Sequence, residues 1–134
     1  MKFIEWNEEQ LGKIKVIDEQ HLSLADMLNQ MHGLLGSDKN ELVKNLLSKF
    51  CDDTKTHFDT EENLIKEYKF PNYFSHKMEH DRVLAQINKE KEVIISGGKM
   101  LTLEFLNSLR TWMFNHHELN DSKLCKFLAG QGVE

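Results

Sequence analysis

The chain has a single proline, Pro71, and only two cysteines, Cys51 and Cys125. Such scarcity of proline leaves long stretches free to remain helical, since a proline ring inside a helix costs about 3 kcal/mol. Two cysteines, far apart and in no metal-binding spacing, are too few for a disulfide-stapled framework or a cysteine-built zinc site, and the compartment favours reduced structural thiols over a disulfide. No apolar run approaches the roughly 18 residues that a membrane span requires. An excess of positive charge is missing too: the formal net charge is -5 and the lysines are interspersed with acids, so nucleic acid is not an expected partner. The opening Met1-Lys2-Phe3-Ile4-Glu5-Trp6 puts acidic and polar residues where a secretory signal needs an apolar stretch, which predicts a cytoplasmic protein.

What is present is an ordinary globular composition, 40% hydrophobic and 29% charged over 134 residues, enough to bury a core without obligatory metals or disulfides. One domain over residues 1–134 is expected. Glycines at 33 and 36, 97–98, and 130 and 132 separate stretches that favour helix. The first helix is predicted from about Asp18 to Leu35, with Ile17, His21, Leu24, Leu28, Met31 and Leu35 on one stripe. A second begins near Ser37 or Asp38, where Asp38 and Glu41 have the spacing of a capping box, and runs to about Tyr68. Its stripe is Val43, Leu46, Phe50, His57, Glu61, Leu64 and Tyr68, with Thr54 in the gap. After Pro71 a third helix carries Tyr73, His76, His80, Val83, Ile87 and Ile94. The fourth starts near Thr102, presents Phe105, Leu109, Trp112 and His116, and continues or bends toward Phe127. Residues 1–16 form an irregular arm whose Phe3 and Trp6 can pack on the helices. Short connections make this an all-α protein, an antiparallel up-down-up-down four-helix bundle.

The stripes are apolar except at His21, His57, Glu61, His76, His80 and His116. Taking a polar group out of water without a hydrogen bond costs roughly 2–7 kcal/mol, and an ionised carboxylate costs more unless it is paired or binds a metal. His57 with Glu61, and His76 with His80, stand four apart, so each pair points one way from its helix and can chelate one centre. Either pair alone is common on solvated helix faces; the combination with His21 and His116 on apolar stripes points to metal. Five imidazoles and a carboxylate exceed the roughly four ligands of a structural zinc site, so two metals are more economical than one. Imidazole with carboxylate suits iron, and equally zinc, copper or manganese.

The pattern resembles the hemerythrin family, specifically its single-domain bacteriohemerythrins, over nearly the whole chain. The residues that carry the resemblance are Trp6, Ile17-Asp18-Glu19-Gln20-His21, His57-Phe58-Asp59-Thr60-Glu61-Glu62, His76-Lys77-Met78-Glu79-His80, and Trp112-Met113-Phe114-Asn115-His116 followed by Asp121. The resemblance implies two iron ions with an oxo or hydroxo bridge: His76, His80 and His116 on one, His21 and His57 on the other, Glu61 and Asp121 bridging. It also implies an open position for dioxygen on the iron with two histidines. His117 and Asp121, four apart, look like the more natural helical pair, but His116 continues the stripe of Leu109, Trp112 and Met113 and matches the family spacing of five. Such a spacing turns roughly 140° around an ideal helix, so the helix distorts there or Asp121 reaches a different metal edge. His117 replaces a usually apolar residue, and Lys13 stands where the family has glycine, with Gly12 one place early. His32 matches no ligand position and is expected at the surface or a helix end.

The function so implied is reversible dioxygen binding at a non-haem di-iron centre, for carriage, storage or delivery, without enzymatic turnover. Two ferrous ions, two carboxylates and a hydroxide carry the same net charge after two electrons and the bridging proton pass to dioxygen, so a dry interior opposes the change little. Leu24, Phe58, Trp112 and Met113 are expected to line the open position with groups that are poor proton donors. Three alternatives are a dioxygen, redox or nitric oxide sensor acting through a partner, an enzyme reducing peroxide or nitric oxide, and a purely structural bundle that folds without metal. A redox or oxygen-consuming protein partner fits several of these roles.

Overall fold

A computed structural model describes residues 2–134, and among them there are helices and turns but no strand. The helices are α1 (Lys15–Gly33), α2 (Asn40–Glu67), α3 (Tyr73–Ile95), α4 (Leu103–His116) and α5 (Ser122–Gly130). Between α4 and α5 lies a single π turn, His117–Asp121, so the last two helices are the halves of one distorted helix. The expected up-down-up-down bundle is therefore present, with α2 packed on both α1 and α3, and α1 closing the bundle against α4. Among the described residues no helix is long and apolar enough to cross a membrane.

Local chemistry explains most of the boundaries. α4 starts where Thr102 accepts a hydrogen bond from the Phe105 amide at 3.1 Å, a side-chain N-cap. α3 stops at Gly97, whose φ of +85° lets the amides of Gly97 and Gly98 turn back onto the carbonyls of Ile94 and Val93. Two expected helix starts are corrected. α1 begins at Lys15, three residues before Asp18, and the Asp18 carboxylate instead accepts the amides of Gly12 and Lys13, each at 2.9 Å. The Asp38–Glu41 capping box does not form: α2 starts at Asn40 after Lys39, without a side-chain cap.

The arm before α1 contains one 3-10 turn, Glu8–Gln10, capped by Asn7. It is tied down by Ile4, whose amide and carbonyl both pair with the Asn29 side chain at 2.8 and 3.0 Å, and by Arg110, which donates to the Phe3 carbonyl and lies over its ring. Trp6 is buried, as expected, and Phe3 stacks on His32 in the last turn of α1. Lys13 adopts a left-handed φ of +68°, the conformation glycine takes without strain. The neighbouring Gly12 cannot exchange roles with it, because a Cβ there would overlap the Cys125 side chain.

Two apolar clusters fill the interior. The larger holds Leu24, Leu28, Met31, Leu47, Phe50, Phe58, Val83, Ile87, Leu106, Leu109 and Met113 among others. The smaller holds Ile14, Ile17, Ile65, Leu124, Cys125 and Leu128. On α2 Leu47 and Ile65 are fully buried, while the expected Leu46 and Leu64 beside them are half-buried. Between the two clusters along every long helix comes a polar layer: His21 on α1, His57 and Glu61 on α2, His80 on α3, and His116 and Asp121 around the π turn.

Candidate metal centre

Each helix delivers its polar residues at the depth where the two apolar clusters part, so they face one another inside the bundle. His21, His57, Glu61, His80, His116 and Asp121 are all buried, and both carboxylates are wholly sequestered. The π turn is what admits Asp121. With about 4.4 residues per turn instead of 3.6, residues five apart share a face, and Asp121 Oδ1 lies 3.0 Å from His116 Nε2. The distortion expected from the spacing of five is present, and His116 rather than His117 faces the carboxylates.

Ligand-type atoms gather in two groups that share one residue. His21, His57, Glu61 and Asp121 each offer an atom within 4.8 Å of the others, as do Glu61, His80 and His116. In the first group His21 Nε2 is 2.9 Å from Asp121 Oδ2, and His57 Nε2 is 3.1 Å from Glu61 Oε2. In the second, His80 Nε2 and His116 Nε2 lie 3.2 and 3.3 Å from Glu61 Oε1. Despite these distances, Glu61 Oε2, both Asp121 oxygens and His80 Nε2 find no hydrogen-bond geometry among protein atoms. His21 Nε2 and His57 Nε2 also face each other at 3.0 Å, an arrangement of two lone pairs that calls for a cation or proton between them. Donor atoms aimed at common points rather than at one another fit a metal pair.

His76 is the exception among the seven expected ligands. It is buried one turn before His80, yet its ring centroid is 6.4 Å from that of His80, it packs by Phe70, and it belongs to neither group. Burial lowers its pKa.

The electrostatics are those of a buried anionic pair neutralised by imidazolium. Burial opposes a charged His57, but Glu61 and Asp121 outweigh it and push its pKa up to about 9. Burial opposes a charged His116 as well, and the Asp121 carboxylate beside it wins, holding its pKa well above the ordinary histidine value. Glu61 and Asp121, which burial alone would push up, are held below the usual carboxylate range by the histidines around them.

A small cavity of about 10 Å³, measured as space open to the centre of a water-sized sphere, is lined by His21, Leu24, His57, Trp112, Met113 and His116. That is room for about one water-sized molecule. Of the four residues expected around an open position, Leu24, Trp112 and Met113 are in the wall of this cavity. Phe58 stands behind them, stacked on His80 at 3.9 Å and edge-on to Trp112 at 5.5 Å. His117 is half-buried between Trp6 and His21, at 5.2 and 6.0 Å between ring centroids, and burial lowers its pKa. Cys51 and Cys125 are free and buried, their thiols pushed up by burial to about 11 and about 12.

Sequence reasoning missed a ring of residues behind the histidines. Glu62 Oε2 lies 2.8 Å from His80 Nδ1, Gln20 Oε1 2.8 Å from His57 Nδ1, and Glu79 Oε1 3.4 Å from His116 Nδ1. Each of the three adjoins an expected ligand and lies inside a segment that carries the family resemblance, the signals that could have found it.

Comparison with known proteins agrees with this geometry. The bacteriohemerythrin of Stenotrophomonas maltophilia is 29% identical over 116 residues, covering 87% of this chain and 75% of that protein. The bacteriohemerythrin of Methylococcus capsulatus is 22% identical over 117 residues, covering 87% and 89%. A crystal structure of wild-type hemerythrin superposes with a TM-score of 0.88 at 21% identity, over 94% of this chain and 98% of that one, which establishes the fold. Because the family model described as the hemerythrin HHE cation binding domain matches residues 12–128, nearly everything that builds the bundle and its polar layer, the chain belongs to the hemerythrin family, whose domain binds a pair of irons.

Proposed function

We propose that this chain, a single domain over residues 1–134, binds dioxygen reversibly in the cytoplasm as a carrier, store or delivery protein, and not as an enzyme. The ligands in this reading are His76, His80 and His116 for one iron, His21 and His57 for the other, with Glu61 and Asp121 shared. When bound, the iron pair supplies two electrons to dioxygen and recovers them on release. The protein holds the ligands and keeps water out. Glu61 and Asp121, wholly buried, balance the metal charge in a place where an unpaired charge would be costly.

The observation that carries the reading is the cavity beside His21 and His57, the pair that on this assignment, with His76 on the other iron, leaves its metal with fewer protein ligands. It has room for one small molecule, and its non-ligand walls are Leu24, Trp112 and Met113. Leu24 and Met113 have no acidic proton, and an indole N–H is far too weak an acid to give one up. Because these walls supply no proton beyond the bridging one, the bound molecule leaves as dioxygen. Two buried cysteines that do not pair suit a reducing compartment.

The test is anaerobic loading with ferrous iron to two per chain, followed by air and then by deoxygenation under argon. The expected result is a visible spectrum that appears in air and disappears under argon over repeated cycles. Direct conversion to the ferric form with no reversible spectrum refutes the proposal, and sustained turnover with peroxide or nitric oxide and an electron donor replaces it with an enzyme.

A further inference from the structure

The histidines of the centre have two faces. His57, His80 and His116 point Nε2 inward, as His21 does, and also meet a protein group at the outward Nδ1; those groups differ in charge from one side to the other. His80 Nδ1 meets the Glu62 carboxylate at 2.8 Å, and Glu62 is itself only 7% exposed. Its other oxygen lies 3.7 Å from the Lys77 ammonium. His116 Nδ1 meets Glu79 at 3.4 Å, whose second oxygen accepts the Asn120 amide at 3.2 Å.

His57 Nδ1 meets only a neutral amide, Gln20 Oε1 at 2.8 Å. The orientation of that amide follows from its neighbours. The Thr60 hydroxyl donates to the Thr56 carbonyl at 3.0 Å, so Thr60 Oγ1 accepts, at 3.0 Å, and the Gln20 group facing it is the NH2. Oxygen therefore faces His57, which must carry its proton on Nδ1 and leave Nε2 free for a metal. His21 and His76, one on each side, have no protein partner at Nδ1 and leave the comparison unchanged.

A histidine that donates its outer N–H to a carboxylate becomes a stronger electron donor through the inner nitrogen than one that donates to an amide, and stronger donation stabilises the higher oxidation state of the metal. We propose that Glu62 and Glu79 behind the three-histidine position, against Gln20 behind the two-histidine position, make the three-histidine metal the easier of the two to oxidise. All three act as positioning residues through a histidine. The inference rests on the iron-pair reading above. Removal of one electron by a one-electron oxidant then leaves ferric iron at the three-histidine position and ferrous iron beside the cavity.

The test is a ferricyanide titration of the reduced, iron-loaded protein, following the mixed-valence electron paramagnetic resonance signal. Its quantity is the constant for forming the half-oxidised protein from the fully reduced and fully oxidised ones. Glu62→Gln keeps the shape and removes the charge, and should lower that constant about tenfold, equivalent to 59 mV for one electron. Gln20→Glu adds charge on the other side and should lower it as well; Glu79→Gln, at a longer contact, should lower it less. Constants within twofold of the unaltered protein in Gln20→Glu and Glu79→Gln, or a rise in either, overturn the inference even if Glu62→Gln fails to fold. So does a lower melting temperature with an unmoved constant, the mark of a purely structural role. In the zinc-loaded protein the His80 Nδ1 proton should resonate downfield of the His57 Nδ1 proton, and the reverse order also overturns it. If the unaltered protein takes up no iron pair, the iron-pair reading fails and this inference fails with it; an iron pair with unmoved constants fails this inference alone.

Discussion

Removing metal from this protein should make its stability fall as the solution becomes more alkaline, in the interval where most proteins are indifferent. In the metal-free site His57 titrates at about 9, against 6.5 for an unperturbed histidine. A group whose folded pKa is raised binds its proton more tightly when folded, so it stabilises fully below pH 6.5 and loses that contribution as pH rises through 9. At roughly 1.4 kcal/mol per tenfold change in proton affinity, His57 alone contributes about 3 kcal/mol. That is a large part of the roughly 5–15 kcal/mol typical of a domain. The carboxylates act with opposite sign. Glu61, held below its ordinary value of 4.5, stabilises above that pH and loses the contribution only in stronger acid. The metal-free protein should therefore be most stable between about pH 4.5 and 6.5. Urea unfolding followed by circular dichroism, after exhaustive chelation, measures this at half-unit steps from about pH 4 to about pH 9.5. A midpoint that stays level or climbs between pH 6.5 and 9 refutes the reasoning, and a His57→Gln protein should show a shallower decline, the remainder belonging to His116.

Two further predictions concern the backbone. Lys13→Gly relieves a left-handed residue and should raise stability by about 0.5–1 kcal/mol, since roughly 1–2 kcal/mol of strain is offset in part by the flexibility glycine gives the unfolded chain; a lower urea midpoint contradicts it. Deleting the exposed Leu119 should turn the π turn into regular α-helix without changing which way α5 faces, because five residues of π turn and four of α-helix cover nearly the same rotation. Its melting temperature should stay within about 5 °C of the parent. Cys125, buried and with a raised pKa, should remain unreactive toward a thiol reagent; rapid labelling would show that α5 has rotated.

The helices and the inward histidines were legible in the sequence because both depend on periodicity. His21, His57, Glu61, His80 and His116 interrupt apolar stripes at helical spacing, and burial makes each interruption costly enough to need a reason. The π turn was legible only through its conflict: Asp121 fits His117 in an ideal helix and His116 in a distorted one. The start of α1 was not legible. Asp18 serves the two amides of the preceding turn instead of capping the helix, a role set by how the arm folds back. The drift of the buried face from Leu46 to Leu47 and from Leu64 to Ile65 reflects how a 28-residue helix exceeds any fixed stripe. Gln20, Glu62 and Glu79 escaped because a polar residue beside a ligand looks, in sequence, the same as a solvated one.

Glu61 belongs to both groups of ligand atoms, one oxygen toward each. On the proposed assignment, the first ion to arrive must freeze that carboxylate in the orientation the second ion also needs. The protein should then fill two at a time: given half the iron it can hold, a solution would contain complete and empty molecules side by side, with few that are half filled.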